Sequence, residues 1–304
     1  MKIAFVQSEE PGNMFDMQLP VGVAALESVL TCTGHDVDLL WRNADMLVQP
    51  RLANRLEQSN PDVLCISLCW SVLPQVEELI PFLRQHCPGK PVVIGGPGVT
   101  YCPEFVLRKT GADIAILGEG EIALSKLVAT LDRFPDIPDG IQGTAYIDSS
   151  DNFHSNGFGE KSELEYIPRP TWDKYPMQRY ATTGSYLYRS MAVNTDRIIQ
   201  WTTSRGCPFS CAFCASGVSA RYKSMAQVEN ELQEIYARFL PSFMVWQDNL
   251  TIPDRKRCFE FCEMLERNAF LFRYYVSGHA GTMDRDMLKA LKKTGCAGIM
   301  YGVE

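Results

Sequence analysis

From Met1 to Leu131 the apolar residues come in short runs separated by stretches whose apolar positions lie three and four apart. The runs are KIAFVQ from Lys2, DVDLLW from Asp36, DVLCISL from Asp62, PVVIGG from Pro91 and DIAILGEG from Asp113. The amphipathic stretches between them predict helices over Val21–Cys32, Leu52–Gln58, Leu73–Cys87, Glu104–Lys109 and Glu121–Leu131. Strands buried on both faces read as near-continuous apolar runs, and parallel neighbours need a crossover helix. The pattern therefore predicts an α/β fold that opens with a Rossmann-like, doubly wound parallel sheet. Turn-forming clusters follow, DSSDNFHSNG and then YIPRPTWDKYP, which predict a short hairpin and a linker. A second alternation begins near Asp196: strand RIIQWTTS, a cysteine-rich loop, helix Met225–Phe239, strand FMVWQD, helix Asp254–Asn268, strand LFRYYVSG, helix Met283–Thr294 and strand AGIMYGVE. Repeated β-then-α units predict a partial TIM-like barrel. The expected division is 1–134 for the first domain, 135–195 for hairpin and linker, and 196–304 for the barrel. Four strands cannot close a barrel, so the sequence is expected to be truncated at its C-terminus.

Composition changes this picture by exclusion. With 46% apolar and 21% charged residues the chain is an ordinary globular one. The N-terminus reads as a first strand and not as a signal peptide, and no window supplies the roughly 18 consecutive apolar residues of a membrane span. The expected location is the cytoplasm, where thiols stay reduced; the odd count of 11 cysteines also argues against a disulfide framework. A formal net charge of −7 with 4 histidines offers no basic footprint for nucleic acid or anionic membrane. A small-molecule substrate is expected.

In open parallel sheets, ligands bind outside the carboxyl ends of the strands. Here Ser67 closes the third run, Gly95 and Gly96 follow the fourth, and Gly118, Glu119 and Gly120 follow the fifth. Glycines at these ends let a ligand approach the backbone, and the helix starts behind them favour anionic groups. One such loop would read as a plain tight turn; three on one edge predict a bound cofactor. NAD is not favoured, because SEEPGNMF after the first strand is no G-x-G-x-x-G fingerprint.

The densest chemistry lies in TTSRGCPFSCAFCASG, where Cys207, Cys211 and Cys214 have C-x3-C-x2-C spacing directly after the first barrel strand. Barrel active sites are built on the loops after strands. Three thiolates on one short loop can converge on a soft metal centre, zinc, copper(I) or an iron–sulfur cluster. Structural zinc would want a fourth ligand, and the neighbouring serines and Arg205 supply none. A metal cluster is favoured, with catalytic zinc or free thiols as the alternatives.

The segment RGCPFSCAFC resembles the cluster-binding motif of the radical S-adenosylmethionine (SAM) superfamily, with Phe213 as its aromatic position. The resemblance implies a four-iron four-sulfur cluster held by Cys207, Cys211 and Cys214, whose remaining iron takes the amino and carboxylate groups of SAM. It further implies reductive cleavage of SAM to a radical that abstracts hydrogen from an unactivated carbon. MVWQDNLTI is similar to the second-strand segment of that family, which places Asp248 near the SAM amino group; a turn or N-cap role is the plainer reading. GCAGIMYGVE resembles the fourth-strand segment and places Gly302 and Glu304 near the ribose or carboxylate of SAM. His279, at the end of the third strand, reads as a hydrogen-bonded structural residue.

LPVGVAALESVLTCTGHDVDLL, PDVLCISL, VVIGGPGVT and GADIAILGEGE together resemble the cobalamin-binding domain that precedes the barrel in one class of radical SAM enzymes. That resemblance puts cobalamin near Ser67, Gly95, Gly96 and Gly118. Cobalamin domains of the methionine-synthase kind carry D-x-H-x-x-G after the first strand; here no histidine occurs between Met1 and Thr33, so cobalt is expected to lack a histidine from that loop. The resemblance implies a cobalamin-dependent radical SAM methyltransferase acting on carbon, with flavodoxin or ferredoxin as electron donor. Radical rearrangement, cyclisation or oxidation with the same cofactors is the alternative within enzymes. A non-catalytic cobalamin- or cluster-binding fragment is the alternative outside them.

Overall fold

A computed structural model of the chain describes residues 1–9, 19–43, 45–136, 139–183, 197–214 and 219–302. They form two compact units, one mainly from Gly22–Ser162 with Ile167–Pro176, the other mainly from Met177 onward with Glu163–Tyr166. In the first, β1 (Lys2–Val6), β2 (Asp36–Leu40), β3 (Val63–Ser67), β4 (Val92–Gly95) and β5 (Ile114–Ile116) run parallel in the order β2-β1-β3-β4-β5. Each falls on an apolar run of the sequence. The connecting helices are α1 (Val21–Cys32), α2 (Gln49–Ser59), α3 (Leu73–His86), the single turn α4 (Pro97–Thr100), α5 (Pro103–Thr110) and α6 (Gly120–Val128). Helix α2 starts ahead of the predicted Leu52 because Pro50 falls in its first turn, where a fixed φ and a missing N–H are tolerated. Leu52 and Leu56 of α2 and Val76, Leu79, Ile80 and Leu83 of α3 join Leu64, Ile66, Val92 and Ile94 of the sheet in one buried core. The strand order turns back at β1, so the crevice at the carboxyl ends of β1 and β3 is the switch point of the sheet.

The predicted hairpin forms as β6 (Thr144–Ile147) and β7 (Phe153–Ser155). It pairs antiparallel with β5, Ala145 opposite Ala115, so among the described residues the sheet is mixed and seven-stranded where the pattern predicts a purely parallel one. The reason is tertiary: β6 covers backbone groups that β5 would otherwise expose, and Ala145 is buried in the same core as α5 residues Val106 and Leu107.

The linker composition around YIPRPTWDKYP also hides a fixed segment. The Lys174 ammonium donates to the Val37 carbonyl at 2.8 Å, and the Trp41 indole N–H donates to the Lys174 carbonyl at 2.9 Å. Glu27, wholly buried in α1, accepts from the Thr171 N–H at 3.1 Å and the Tyr175 hydroxyl at 3.4 Å, and lies 3.3 Å from the Lys174 ammonium. A buried carboxylate persists only when its lone pairs are occupied, and here they tie a turn-rich segment onto the β2 edge.

In the second unit, after α7 (Met177–Thr183), come β8 (Ile198–Trp201), the two-residue strands β9 (Ser204–Arg205) and β10 (Arg221–Tyr222), α8 (Met225–Phe239), β11 (Phe243–Trp246), α9 (Arg255–Asn268), β12 (Arg273–Gly278), α10 (Arg285–Lys293) and β13 (Cys296–Tyr301). Strands β8, β11, β12 and β13 are parallel neighbours in chain order, as successive β/α units of a barrel are. The Ser224, Asp254 and Asp284 side chains accept N–H bonds from the first turns of α8, α9 and α10 and set where each helix begins. Aromatic rings pack α9 onto the sheet, Phe261 lying edge-on to Trp246 at 5.5 Å and to Tyr274 at 5.8 Å.

Glu27→Ala strands the Thr171 N–H and the Tyr175 hydroxyl, and should cost about 2–4 kcal/mol, with a lower urea midpoint and faster proteolysis near Thr171. Glu27→Gln keeps one carbonyl acceptor and should lose roughly half as much. An unchanged midpoint in Glu27→Ala would mean that the segment holds by its aromatic contacts alone.

Candidate functional site

At the carboxyl edge of the first unit, Ser67 and Gly95 are register partners at the ends of β3 and β4. The Ser8 hydroxyl, just past β1, donates to the Ser67 carbonyl at 2.9 Å and so ties the ends of β1 and β3 together. Gly96 has φ +101°, and a Cβ on it would stand 2.8 Å from the Leu68 carbonyl oxygen, so only glycine lets the turns after β3 and β4 touch. The Leu68 N–H donates to the Gly95 carbonyl at 2.8 Å, and the Gly98 N–H to the Leu68 carbonyl at 2.9 Å. The Gly118 N–H donates to the Thr100 hydroxyl at 3.2 Å, which joins the third loop to the second. Thus Ser67, Gly95, Gly96 and Gly118 do share one edge. Glu119 stands at the N-cap position of α6. Gly120 faces inward instead, where a Cβ would meet Leu26 at 3.1 Å, so its small size serves helix packing. Residues 10–18 of the loop after β1 lie outside the described residues.

The cysteine loop of the second unit is closed at its base. Strands β9 and β10 pair antiparallel, Arg205 opposite Arg221 and Ser204 opposite Tyr222, so the chain leaves and re-enters the sheet edge at one place. Gly206 turns the chain at φ +75°, where a Cβ would run into the Ser219 carbonyl oxygen. Glycine immediately before Cys207 is therefore a steric requirement. Cys207, Cys211 and Cys214 form no disulfide, the last two are exposed, and the Cys214 N–H donates to the Cys211 carbonyl at 3.0 Å. Phe213 is 69% exposed on the same loop. Among the described residues no three His, Cys, Asp or Glu side chains are grouped as a metal site.

Asp248, beyond β11, is buried and braces the start of this loop. Its Oδ1 accepts the Thr203 N–H at 2.7 Å and the Ser204 N–H at 2.9 Å, and its Oδ2 accepts the Thr203 hydroxyl at 2.7 Å. Burial pushes the Asp248 carboxyl above its usual range while these hydrogen bonds pull it back. Its own carbonyl accepts the Ser277 hydroxyl at 3.0 Å, which extends the brace to β12. Gly302 is exposed at the end of β13, and Glu304 lies outside the described residues.

Sequence reasoning missed the second layer of the brace. The Arg257 guanidinium donates to the Thr203 carbonyl at 3.3 Å and the Lys223 carbonyl at 3.1 Å, and stacks 4.5 Å over the Tyr222 ring. The Lys223 ammonium reaches Glu231 at 2.6 Å, and the same carboxylate accepts the Trp201 indole N–H at 2.7 Å. Burial lowers the basicity of both Lys223 and Arg257 and raises the Tyr222 phenol to about 12. No local periodicity marks these residues, because their partners lie on other elements.

A family model described as the B12 binding domain matches residues 17–128. An uncharacterized methyltransferase of Pyrococcus horikoshii is 26% identical over 290 residues, which cover 94% of this chain and 60% of that protein. The anaerobic magnesium-protoporphyrin IX monomethyl ester cyclase of Cereibacter sphaeroides is 24% identical over 94% of this chain and 47% of its own length. The chain thus spans about half to three-fifths of the length of these relatives. Among solved structures, the cobalamin-dependent SAM radical enzyme OxsB superposes with a TM-score of 0.80 over 99% of this chain and 44% of its own, at 18% identity, which is a likeness of fold. The chain thus carries a match to the B12 binding domain ahead of a cysteine loop on parallel β/α units, and over nearly its whole length its fold is similar to that of a cobalamin-dependent SAM radical enzyme.

Proposed function

We propose that the cysteine loop holds a four-iron four-sulfur cluster and SAM, that the carboxyl edge of the first unit holds cobalamin, and that the protein methylates an unactivated carbon of a small molecule. The observation that carries this reading is the loop itself: three cysteines in no disulfide within eight residues, directly after the first barrel strand, on a base closed by β9 and β10. Three soft sulfur donors with no fourth protein ligand suit such a cluster better than a closed structural zinc. When bound, the cluster and SAM would supply a hydrogen-abstracting radical, and cobalamin a transferable methyl group.

The chain's own part is positional. Cys207, Cys211 and Cys214 would ligate iron, with Phe213 beside the SAM site. Asp248 fixes the peptide planes of Thr203 and Ser204 and thereby the direction in which the loop departs; a role toward the SAM amino group would have to share that carboxylate. Gly302 and Glu304 are proposed at the far side of the SAM site. In the first unit Ser67, Gly95, Gly96 and Gly118 would face the cofactor, with Glu119 beside them. His35 and His86 precede β2 and β4 and so lie at the amino edge, while His154 on β7 is held by Asp148 at 2.8 Å. None of the three is placed to reach a ligand at the carboxyl edge. Among the described residues no helix is long and apolar enough to cross a membrane. We place the protein in the cytoplasm, with a flavodoxin or ferredoxin as electron donor. Cyclisation is the second reading, favoured by the relative that carries a cyclase name.

Anaerobic reconstitution should give about four iron and four sulfide per chain, whereas stoichiometric zinc without iron uptake would reject the cluster. Asp248→Ala strands two buried N–H groups and should destabilise the base of the loop by about 2–4 kcal/mol, so that a chelator strips iron several-fold faster; Asp248→Asn, of the same shape, should retain most of it. Bound cobalamin, reduced to its paramagnetic state, should show no nitrogen splitting from a protein histidine. With substrate and reductant, the full-length protein should form S-adenosylhomocysteine and 5′-deoxyadenosine in a ratio of about one to one, since methylation and radical generation each consume one SAM. Cys211→Ala should abolish deoxyadenosine. Deoxyadenosine without S-adenosylhomocysteine would replace methyl transfer by cyclisation or rearrangement.

A further inference from the structure

The loop base is fixed by Asp248 and the β9–β10 ladder, whereas Pro208, Ser210, Cys211 and Ala212 beyond it are exposed. One side chain among them finds a partner at the end of another strand. The Phe209 ring lies 4.1 Å, centroid to centroid, from the His279 imidazole, with 21° between the planes. His279 directly follows β12, and β12 is separated from β8 by β11, so this stack carries the loop from one strand end across the next to the third.

His279 is prepared for that contact by its own turn. The Gly281 N–H donates to its Nδ1 at 3.1 Å, and its carbonyl accepts the Thr282 N–H at 3.0 Å and the Thr282 hydroxyl at 3.1 Å. That ring nitrogen is the acceptor of the Gly281 bond. The bond fixes the ring plane. A Cβ on Gly281 would lie 3.2 Å from the His279 ring, so glycine at that position lets the amide approach the imidazole.

We infer that His279 is a positioning residue of the cysteine loop: its fixed ring is the platform on which Phe209 holds the Cys207–Cys211 segment over the carboxyl edge of the sheet. The consequence for the cluster rests on the reading proposed above; the contact itself does not. A flat partner of similar size should serve as well, because the platform acts through its face. The imidazole is therefore replaceable by phenylalanine but not by alanine.

The test is amide hydrogen exchange of residues 206–214 in the full chain without iron, paired with iron retention under a chelator after reconstitution. His279→Ala and Phe209→Ala should each speed exchange in that segment about two- to tenfold, the range expected for one aromatic pair. The double variant should add little to either single one, and His279→Phe should restore protection and iron retention together. Amides of β11 and α8 report whether each variant is folded. Unchanged exchange in His279→Ala overturns the inference, as does His279→Phe behaving like His279→Ala or additive effects in the double variant. If the wild-type chain takes up no iron, the cluster reading fails while the exchange data still decide the platform.

Discussion

The Asp248 carboxylate receiving the Thr203 and Ser204 N–H groups is the contact on which the direction of the cysteine loop depends. Those two residues lie where the chain leaves β8 and enters β9, so their amides have no ladder partner in the parallel sheet. Left buried and unpaired, each would cost as much as a lost hydrogen bond. The carboxylate settles both at once and fixes the angle between them. Because Asp248 stands at the end of the neighbouring strand β11, the direction of the loop is set by the parallel sheet itself, a rigid element. Arg257 and the Lys223–Glu231–Trp201 network extend the same logic outward, each satisfying a backbone carbonyl or a buried charge at the loop's return.

The first unit solves a different problem by opposite means. A ligand at the carboxyl edge of a parallel sheet needs backbone and not bulk, and the loops after β3, β4 and β5 are knitted together by main-chain and hydroxyl hydrogen bonds through Gly95, Gly98 and Gly118. Side chains are kept out because Gly96 already sits against Leu68. The open flanks of the sheet are covered by segments that are not part of the parallel alternation: the antiparallel hairpin on β5 and the Thr171–Pro176 segment on β2, the latter held by the buried charge of Glu27.

On the proposed reading both units would be platforms for cofactors that carry the difficult chemistry, and a platform does not name a reaction. Relatives aligned along nearly the whole chain carry both a methyltransferase and a cyclase name. What distinguishes such outcomes is where a substrate carbon lies relative to the radical and the methyl donor, which the cysteine loop and the glycine edge do not by themselves specify.

Much of this was legible along the chain. The five parallel strands of the first sheet, the four of the second and the helices Val21–Cys32 and Met225–Phe239 follow from apolar period, which is local and short-range. The cysteine spacing is equally local, since a three-thiol loop must fit within a few residues, whereas the need for glycine before Cys207 came only from the Ser219 carbonyl opposite it. The pairing of β6 with β5, the docking of Thr171–Pro176 beneath Glu27, and the choice of Asp248 as a brace were decided only in three dimensions. So were Gly120 as a packing contact and the stack of Phe209 on His279. Sequence period fixes which face a residue presents to its own element. It does not say which residue, tens of positions away, will occupy the other side of a hydrogen bond or a ring, because that choice is made by how the strands are ordered and how closely their ends approach.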